Sequence, residues 1–351
     1  MPVQLLELDL EGLRRLAAEW GEPVFRGNQL YHSLYVEKRF DFAQMTNLPL
    51  GLRERLGREA AIALPAIASQ FRSRDASVRY LLRLADGETI ETVWMPEKNR
   101  QALCISSQAG CAVDCHFCAT AQLGLIRNLT AGEIAGQVLA VLTENREHLL
   151  PRTNVVLMGQ GEPLLNYDAT LAAVRRLADS EGMNIPLRRI TLSTSGIVPG
   201  IRRLAQEAMR PKLAVSLNAT TDEQRDAIMP INRKYSMAEL LAACREHPLR
   251  PWERVTFEYV LLGRFNDTPE DARRLVELTR GLRCKVNLIP WNAVPELPYR
   301  APTDEAVETF HQVLRGARRL VLIRRSRGQD VFAACGQLAL LEISPAAPID
   351  P

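Results

Sequence analysis

The sequence predicts an α/β protein whose main body is an open or partial barrel of parallel strand–helix units, preceded by a helical region and a small β-rich segment. Three observations predict it. From about residue 102 onward, short apolar runs alternate with amphipathic stretches of helical period, the pattern of parallel β/α units. Residues 1–60 instead read as short helices separated by polar breaks. Residues 61–100 hold β-prone runs around Asp86-Gly87, a hairpin signal.

In the first region, Leu5, Leu8, Leu13 and Leu16 fall at mixed helical spacing. Gly21-Glu22-Pro23 breaks the pattern, and a helix is expected to resume near Asn28. In the second, strands are expected at 77–84 and 89–95. The third region, 101–340, is expected to hold strands at 102–106, 154–158, 189–193, 212–216, 254–261, 285–289 and 320–324. Helices are expected between them at 131–147, 168–179, 237–247, 269–282 and 304–317. The tail, 341–351, is rich in proline and alanine and is expected to be disordered.

A chain of 351 residues suffices for one large domain and one or two small ones. Its 46% hydrophobic content allows a sizeable core. No apolar run approaches the roughly 18–20 residues that span a bilayer. The N-terminus mixes acids with its apolar residues and lacks the basic start of a signal peptide, so a cytoplasmic location is expected. The net charge of +3 neither demands nor excludes nucleic acid. The arrangement of charge says more: Arg315, Arg318, Arg319, Arg324, Arg325 and Arg327 crowd one stretch around an apolar run. That stretch reads equally as a phosphate-binding patch or as a solvated helix end beside an edge strand. Seven cysteines, an odd number, fit reduced thiols that serve as ligands or reactive groups better than a disulfide framework.

Polar, glycine-containing segments follow the expected strands: 110–118, 159–163, 193–196, 216–218 and 290–292. Sites in parallel β/α folds lie at the C-terminal ends of strands, so these five segments point to one pocket. The sharpest is Cys111, Cys115 and Cys118, a C-x3-C-x2-C spacing on a single loop. Three thiolates without a second knuckle favour an iron–sulfur cluster with one open iron. A zinc site completed by a distant residue such as His116 is the other reading of the same spacing.

With its neighbours, this text resembles the RlmN/Cfr family of radical S-adenosylmethionine RNA methyltransferases. The resemblance rests on LCISSQAGC (103–111), CHFCATAQ (115–122), MGQGEPLLN (158–166), TLSTSG (191–196), MPINRKY (229–235), NLIPWN (287–292), AACGQL (333–338) and GEPVFRGNQL (21–30). It covers nearly the whole chain and implies a partial (β/α)6 TIM-type radical SAM barrel with an N-terminal helical, RNA-binding accessory domain. It implies a 4Fe–4S cluster on Cys111, Cys115 and Cys118, and S-adenosyl-L-methionine as second cofactor. Gly161 and Glu162 would meet the methionyl end of that cofactor, and Ser193, Ser216, Leu217, Asn218 and Asn292 would line the rest. Many relatives have histidine where this chain has Asn218; either side chain can hydrogen-bond a ribose or a base.

The resemblance also implies the reaction, methylation of adenine C2 in 23S rRNA and in tRNA. One S-adenosylmethionine methylates Cys335, and a second is cleaved reductively so that hydrogen can be taken from the S-methyl group. Glu91 is the family's proton acceptor; without the resemblance it reads as a solvent-facing strand glutamate. Cys104 then attacks the sulfur of Cys335, and the disulfide is reduced afterwards. A reducing electron donor, no membrane and a monomer complete the expectation. Methylation at C8, as in the Cfr branch, and a non-catalytic RNA-binding protein with a structural metal are the competing readings. Candidate RNA contacts are the 315–327 stretch, the hairpin segment, and the N-terminal region with Arg26 and Lys38. Phe25, Tyr31 and Tyr35 are read either as base-stacking or as core residues, and Cys244 and Cys284 as buried small hydrophobes.

Overall fold

In a computed structural model of the chain, residues 2–295 and 297–339 are described. The expected tail therefore lies outside the described residues. The main sheet has ten strands: β1 (Ala66–Arg72), β2 (Val78–Arg83), β3 (Thr89–Pro96), β4 (Gln101–Ile105), β5 (Thr153–Leu157), β6 (Ile190–Thr194), β7 (Lys212–Ser216), β8 (Val255–Leu261), β9 (Cys284–Pro290) and β10 (Val321–Ile323). Their spatial order is their sequence order. β1 to β4 pair antiparallel, and β4 to β10 pair parallel throughout.

Helices connect the parallel strands: α4 (Ala131–Glu144), α5 (Tyr167–Ala178), α6 (Val198–Ala205), α7 (Met237–Glu246), α8 (Pro269–Leu278) and α9 (Asp304–Gly316). These give six strand–helix units and a final strand among the described residues. Among the described residues the sheet does not close on itself, so the architecture is a partial barrel extended at one edge by the antiparallel hairpins. α1 (Leu10–Glu19), α2 (Phe25–Tyr35) and α3 (Leu50–Glu59) precede it.

Side-chain alternation fixes the two faces of each strand. Leu213 and Val215 of β7 and Val286 and Leu288 of β9 face the helices in the main core. Ser216 of β7, Glu258 and Val260 of β8 and Ile289 of β9 line a cavity on the inner face. Helix starts are set by local chemistry: Thr130 with Glu133, Ser236 with Glu239 and Thr268 with Asp271 form reciprocal caps. The expected helix at 269–282 ends at Leu278. There Thr279 turns its hydroxyl back to the Leu275 carbonyl, and Gly281 takes a left-handed φ of 74°.

The N-terminal helices pack their own core around Leu13, Leu34 and Leu56, joined to α4 through Leu139. Arg176 of α5 donates to the carbonyls of Leu6 (2.7 Å) and Glu7 (2.5 Å), and the Tyr31 hydroxyl donates to Asp179 at 2.8 Å. Tyr31 and Tyr35 are thus core residues, whereas Phe25 is half-exposed with Arg26 stacked on its ring at 4.7 Å. Cys244 is buried in the main core, as expected of a small hydrophobe, whereas Cys284 is only half-buried and packs against that core. No helix of the described residues is long and apolar enough to cross a membrane.

Candidate functional site

The cysteine loop leaves β4 at the C-terminal end of the barrel. Its path depends on Gly110, which has φ 72°; a Cβ there would stand 1.9 Å from the Gly124 carbonyl oxygen. The Cys111 amide donates to that same oxygen at 2.8 Å, and the Cys118 amide to the Cys115 carbonyl at 3.0 Å. Trp291 at the end of β9 donates its indole N–H to the Phe117 carbonyl at 3.0 Å. His116 is turned away, its Nδ1 2.9 Å from the Ala227 carbonyl oxygen. Cys111, Cys115 and Cys118 all line one cavity. Among the described residues, no three His, Cys, Asp or Glu side chains converge as a single metal ion would require. Three thiols on the wall of one cavity suit an iron–sulfur cluster, in which each thiolate holds one iron. Burial pushes all three thiols up, Cys111 to about 12, and a bound metal centre would favour their thiolate forms.

The opposite wall is built by the strand-end segments. Gly161 has φ 96°, and a Cβ on it would meet the Gln108 side chain at 2.6 Å. Gly161→Ala is therefore expected to cost about 1–3 kcal/mol, read as a fall in the calorimetric melting temperature. Glu162 is 3% exposed. Its carboxylate accepts from the Ser195 amide (2.6 Å), the Ser195 hydroxyl (2.7 Å) and the Leu164 amide (3.0 Å). Burial raises its pKa, and these donors oppose the rise. Ser193, Ser216, Asn218 and Asn292 also line the cavity. Asn218 sits at φ 57°, a conformation asparagine tolerates well, and its Oδ1 accepts from the Val260 amide at 2.9 Å. Leu217 lies apart: its side chain is in the helix-facing core, and its carbonyl accepts from Arg225 Nε at 3.1 Å.

Cys335 lines this cavity and also a second one, which it shares with Cys104, Met158, Arg324, Arg325 and Arg327. The fold thus brings together two thiols 231 positions apart in sequence. Cys104 pairs with Val93 and Val156 in the sheet and is 8% exposed. Burial pushes its thiol up to about 12, with Cys335 adding to the rise and Arg324 opposing it. The turn carrying Cys335 is tied down on several sides. Asn292 Nδ2 donates to the Cys335 carbonyl at 3.0 Å, Ala119 N to the Gly336 carbonyl at 2.7 Å, and Ala339 N to Glu91 at 2.9 Å. Glu91 is not solvent-facing. It is 1% exposed, paired with the buried Arg79 at 3.3 Å, and lies beneath the Cys335 turn, away from both cavity linings.

Sequence reasoning passed over Ser195, Arg225 and Glu258. Arg225 is buried and donates to the carbonyls of Ser195, Ser216 and Leu217, tying two strand-end segments together. Its only sequence signal is a charged residue among motif segments. Glu258 had a clearer one, a lone acid inside an apolar strand. The arginines of 315–327 do not form one patch. Arg315 in the last turn of α9 and Arg318 just after it are exposed, and Arg319 donates to the Val276 carbonyl at 2.8 Å. Arg324, Arg325 and Arg327 lie beyond the opposite end of β10, at the second cavity.

Comparison with known proteins agrees with this arrangement. Residues 105–278 match the Radical SAM superfamily, and residues 3–62 match the ribosomal RNA large subunit methyltransferase N-terminal domain. The chain is 48% identical over 341 residues to the dual-specificity RNA methyltransferase RlmN of Anaeromyxobacter dehalogenans, covering 95% of this chain and 91% of that one. It is 47% identical over 344 residues to the protein of the same description from Rhodospirillum rubrum, covering 96% and 80%. A crystal structure of a radical SAM methyltransferase from Sphaerobacter thermophilus superposes with a TM-score of 0.91 at 44% identity, covering 97% of this chain and all of that one.

Proposed function

Because this chain belongs to the RlmN family of radical SAM RNA methyltransferases, we propose that it methylates C2 of adenine in 23S rRNA and in tRNA, with Cys335 as the methyl carrier. The observation that carries the proposal is the position of Cys335 on the wall common to two cavities, one lined by the three loop cysteines and the other by Cys104. A carrier thiol has to face a methyl donor on one side and a partner thiol on the other.

Cys111, Cys115 and Cys118 would hold a 4Fe–4S cluster, and the donor set described above fits it. Together with S-adenosylmethionine, that cluster supplies radical chemistry able to take hydrogen from an unactivated methyl group. The chain's own groups do the rest. Glu162 offers a buried acceptor for an ammonium, held rigid by Ser195 and Leu164. Ser193, Ser216, Asn218 and Asn292 supply hydrogen-bonding groups around the cofactor, and Leu217 can contribute only its backbone. Cys335 accepts the methyl group, and Cys104 later attacks its sulfur to free the modified base. Glu91 is the proton acceptor for the C2 hydrogen. In that role it has to draw away from Arg79 and from the Ala339 amide, so proton transfer is linked to movement of the Cys335 turn.

The target adenine leaves its stack to reach this site. Arg325, exposed at the second cavity, would meet a flanking phosphate. The N-terminal helices, with Arg26 and the half-exposed Phe25, and the β1–β3 hairpins give further RNA contacts. The protein works in the cytoplasm as a monomer and takes electrons from a separate reductant. The test is a methylation assay on 23S rRNA and tRNA under reducing conditions, with the product nucleoside mapped. Methyl at C2 of adenine is expected in both. Methyl at C8, or an RNA-binding protein that holds zinc and transfers no methyl group, would overturn the proposal.

A further inference from the structure

The second cavity contains more than two thiols. Arg324 follows β10 and donates its backbone amide to the Leu288 carbonyl at 2.8 Å. Its guanidinium has two soft or charged neighbours, Met158 Sδ at 4.0 Å and Glu258 Oε2 at 3.9 Å. Glu258 is 5% exposed. Its Oε1 accepts from Asn287 Nδ2 at 2.8 Å, while its Oε2 is buried with no hydrogen-bond partner. Arg324 shares its cavity with Cys104 and Cys335; Glu258 shares the other with Cys335. The pair therefore stands in the partition on which Cys335 sits.

At 3.9 Å the guanidinium is close enough to attract the carboxylate but does not hydrogen-bond it. It keeps donors for another anion. The anion this cavity can generate is a thiolate of Cys104 or Cys335. Thiol–disulfide exchange runs through the thiolate, which an apolar pocket disfavours. Cys104 is packed among the apolar Val93, Val331, Ala333 and Leu338, and only Arg324 and the Met158 backbone oppose the effect of that burial on its thiol. The other charged or titratable groups around this partition are Glu97 from the β3–β4 turn, Arg325 and Arg327 from the Arg324 segment, Lys285 of β9 beside Glu258 and Arg324, and Cys118 on the cysteine loop.

We propose that Arg324 is a positioning residue for the Cys104–Cys335 exchange: it stabilises the attacking thiolate, and Glu258 holds the guanidinium in place between exchanges and competes with that thiolate for it. The proposal deepens the carrier reading above and rests on it. It makes removal of the carboxylate and removal of the guanidinium act in opposite directions.

The test is the rate at which the full-length protein closes the Cys104–Cys335 disulfide with an azodicarboxamide oxidant, read by peptide mass analysis across pH. Two thiols lose two protons and two electrons, the S–S bond forms, and the azo compound becomes the hydrazine. Arg324→Gln is expected to close roughly tenfold more slowly near neutral pH, with the pH profile displaced upward by about one unit. Arg324→Lys should recover most of the rate, and Glu258→Gln should close several-fold faster than the parent chain. A general loss of packing would slow Arg324→Gln and Glu258→Gln alike. Arg324→Gln closing at the parent rate across pH, a parent chain that forms no such bond, or Glu258→Gln closing no faster than the parent would overturn the assignment. Failure of the carrier reading itself would show elsewhere, as RNA methylation that survives Cys335→Ala.

Discussion

Cys335→Ala is expected to lower RNA methylation by more than about 10³-fold while leaving iron content and melting temperature close to those of the parent chain. The thiol is exposed to the cavity, and its turn is held by backbone and neighbouring side-chain contacts that an alanine preserves, among them Asn292 to the Cys335 carbonyl and Ala119 to the Gly336 carbonyl. Loss of the sulfur therefore removes the methyl acceptor and little else. Cys104→Ala has a different signature. The acceptor remains but release fails, so RNA should stay covalently attached to the protein through Cys335 and migrate with it on a denaturing gel. Methylation at parental rates by Cys335→Ala would refute the carrier role.

Cys115→Ser is expected to lose bound iron and sulfide, and with them all methylation. A serine hydroxyl at this position does not ionise to replace a thiolate. Burial pushes the Cys115 thiol well above its ordinary value, and bound iron would favour its thiolate form. Iron and sulfide analysis after anaerobic reconstitution is the measurement. A variant that keeps a full complement of both would remove Cys115 from the ligand set. Zinc bound one to one by the parent chain would remove the cluster itself.

Much of the barrel was legible because its strands and helices differ in period. The run at 212–216 is the observed β7, and the other parallel strands fall within two residues of their expected ends. β1 was not singled out as a strand. Its residues alternate only weakly between exposed and half-buried, so the apolar signal that marks a paired strand is faint. The site was legible wherever a motif ends a strand, which is why the loop cysteines, Gly161, Glu162, Ser193, Ser216, Asn218 and Asn292 line one cavity. Leu217 carried the same sequence signal and faces the other way, because consecutive residues of a strand point to opposite faces. The arginines of 315–327 were read as one feature because they are close in sequence. A strand runs between them, and it sends the two halves to opposite ends of the barrel. The Glu91–Arg79 pair was hidden for the converse reason. β2 and β3 run antiparallel with Arg79 opposite Val93 and Leu81 opposite Glu91, so the two charges meet diagonally across strands.

The carrier role of Cys335 has one direct readout. The protein is incubated with S-adenosylmethionine bearing a trideuterated methyl group, digested, and its cysteine peptides weighed. The peptide containing Cys335 is expected to gain the mass of one trideuterated methyl group, and to lose it once RNA and reductant are added. Label on Cys104 or another cysteine, or unlabelled Cys335 in protein that still methylates RNA, would contradict it.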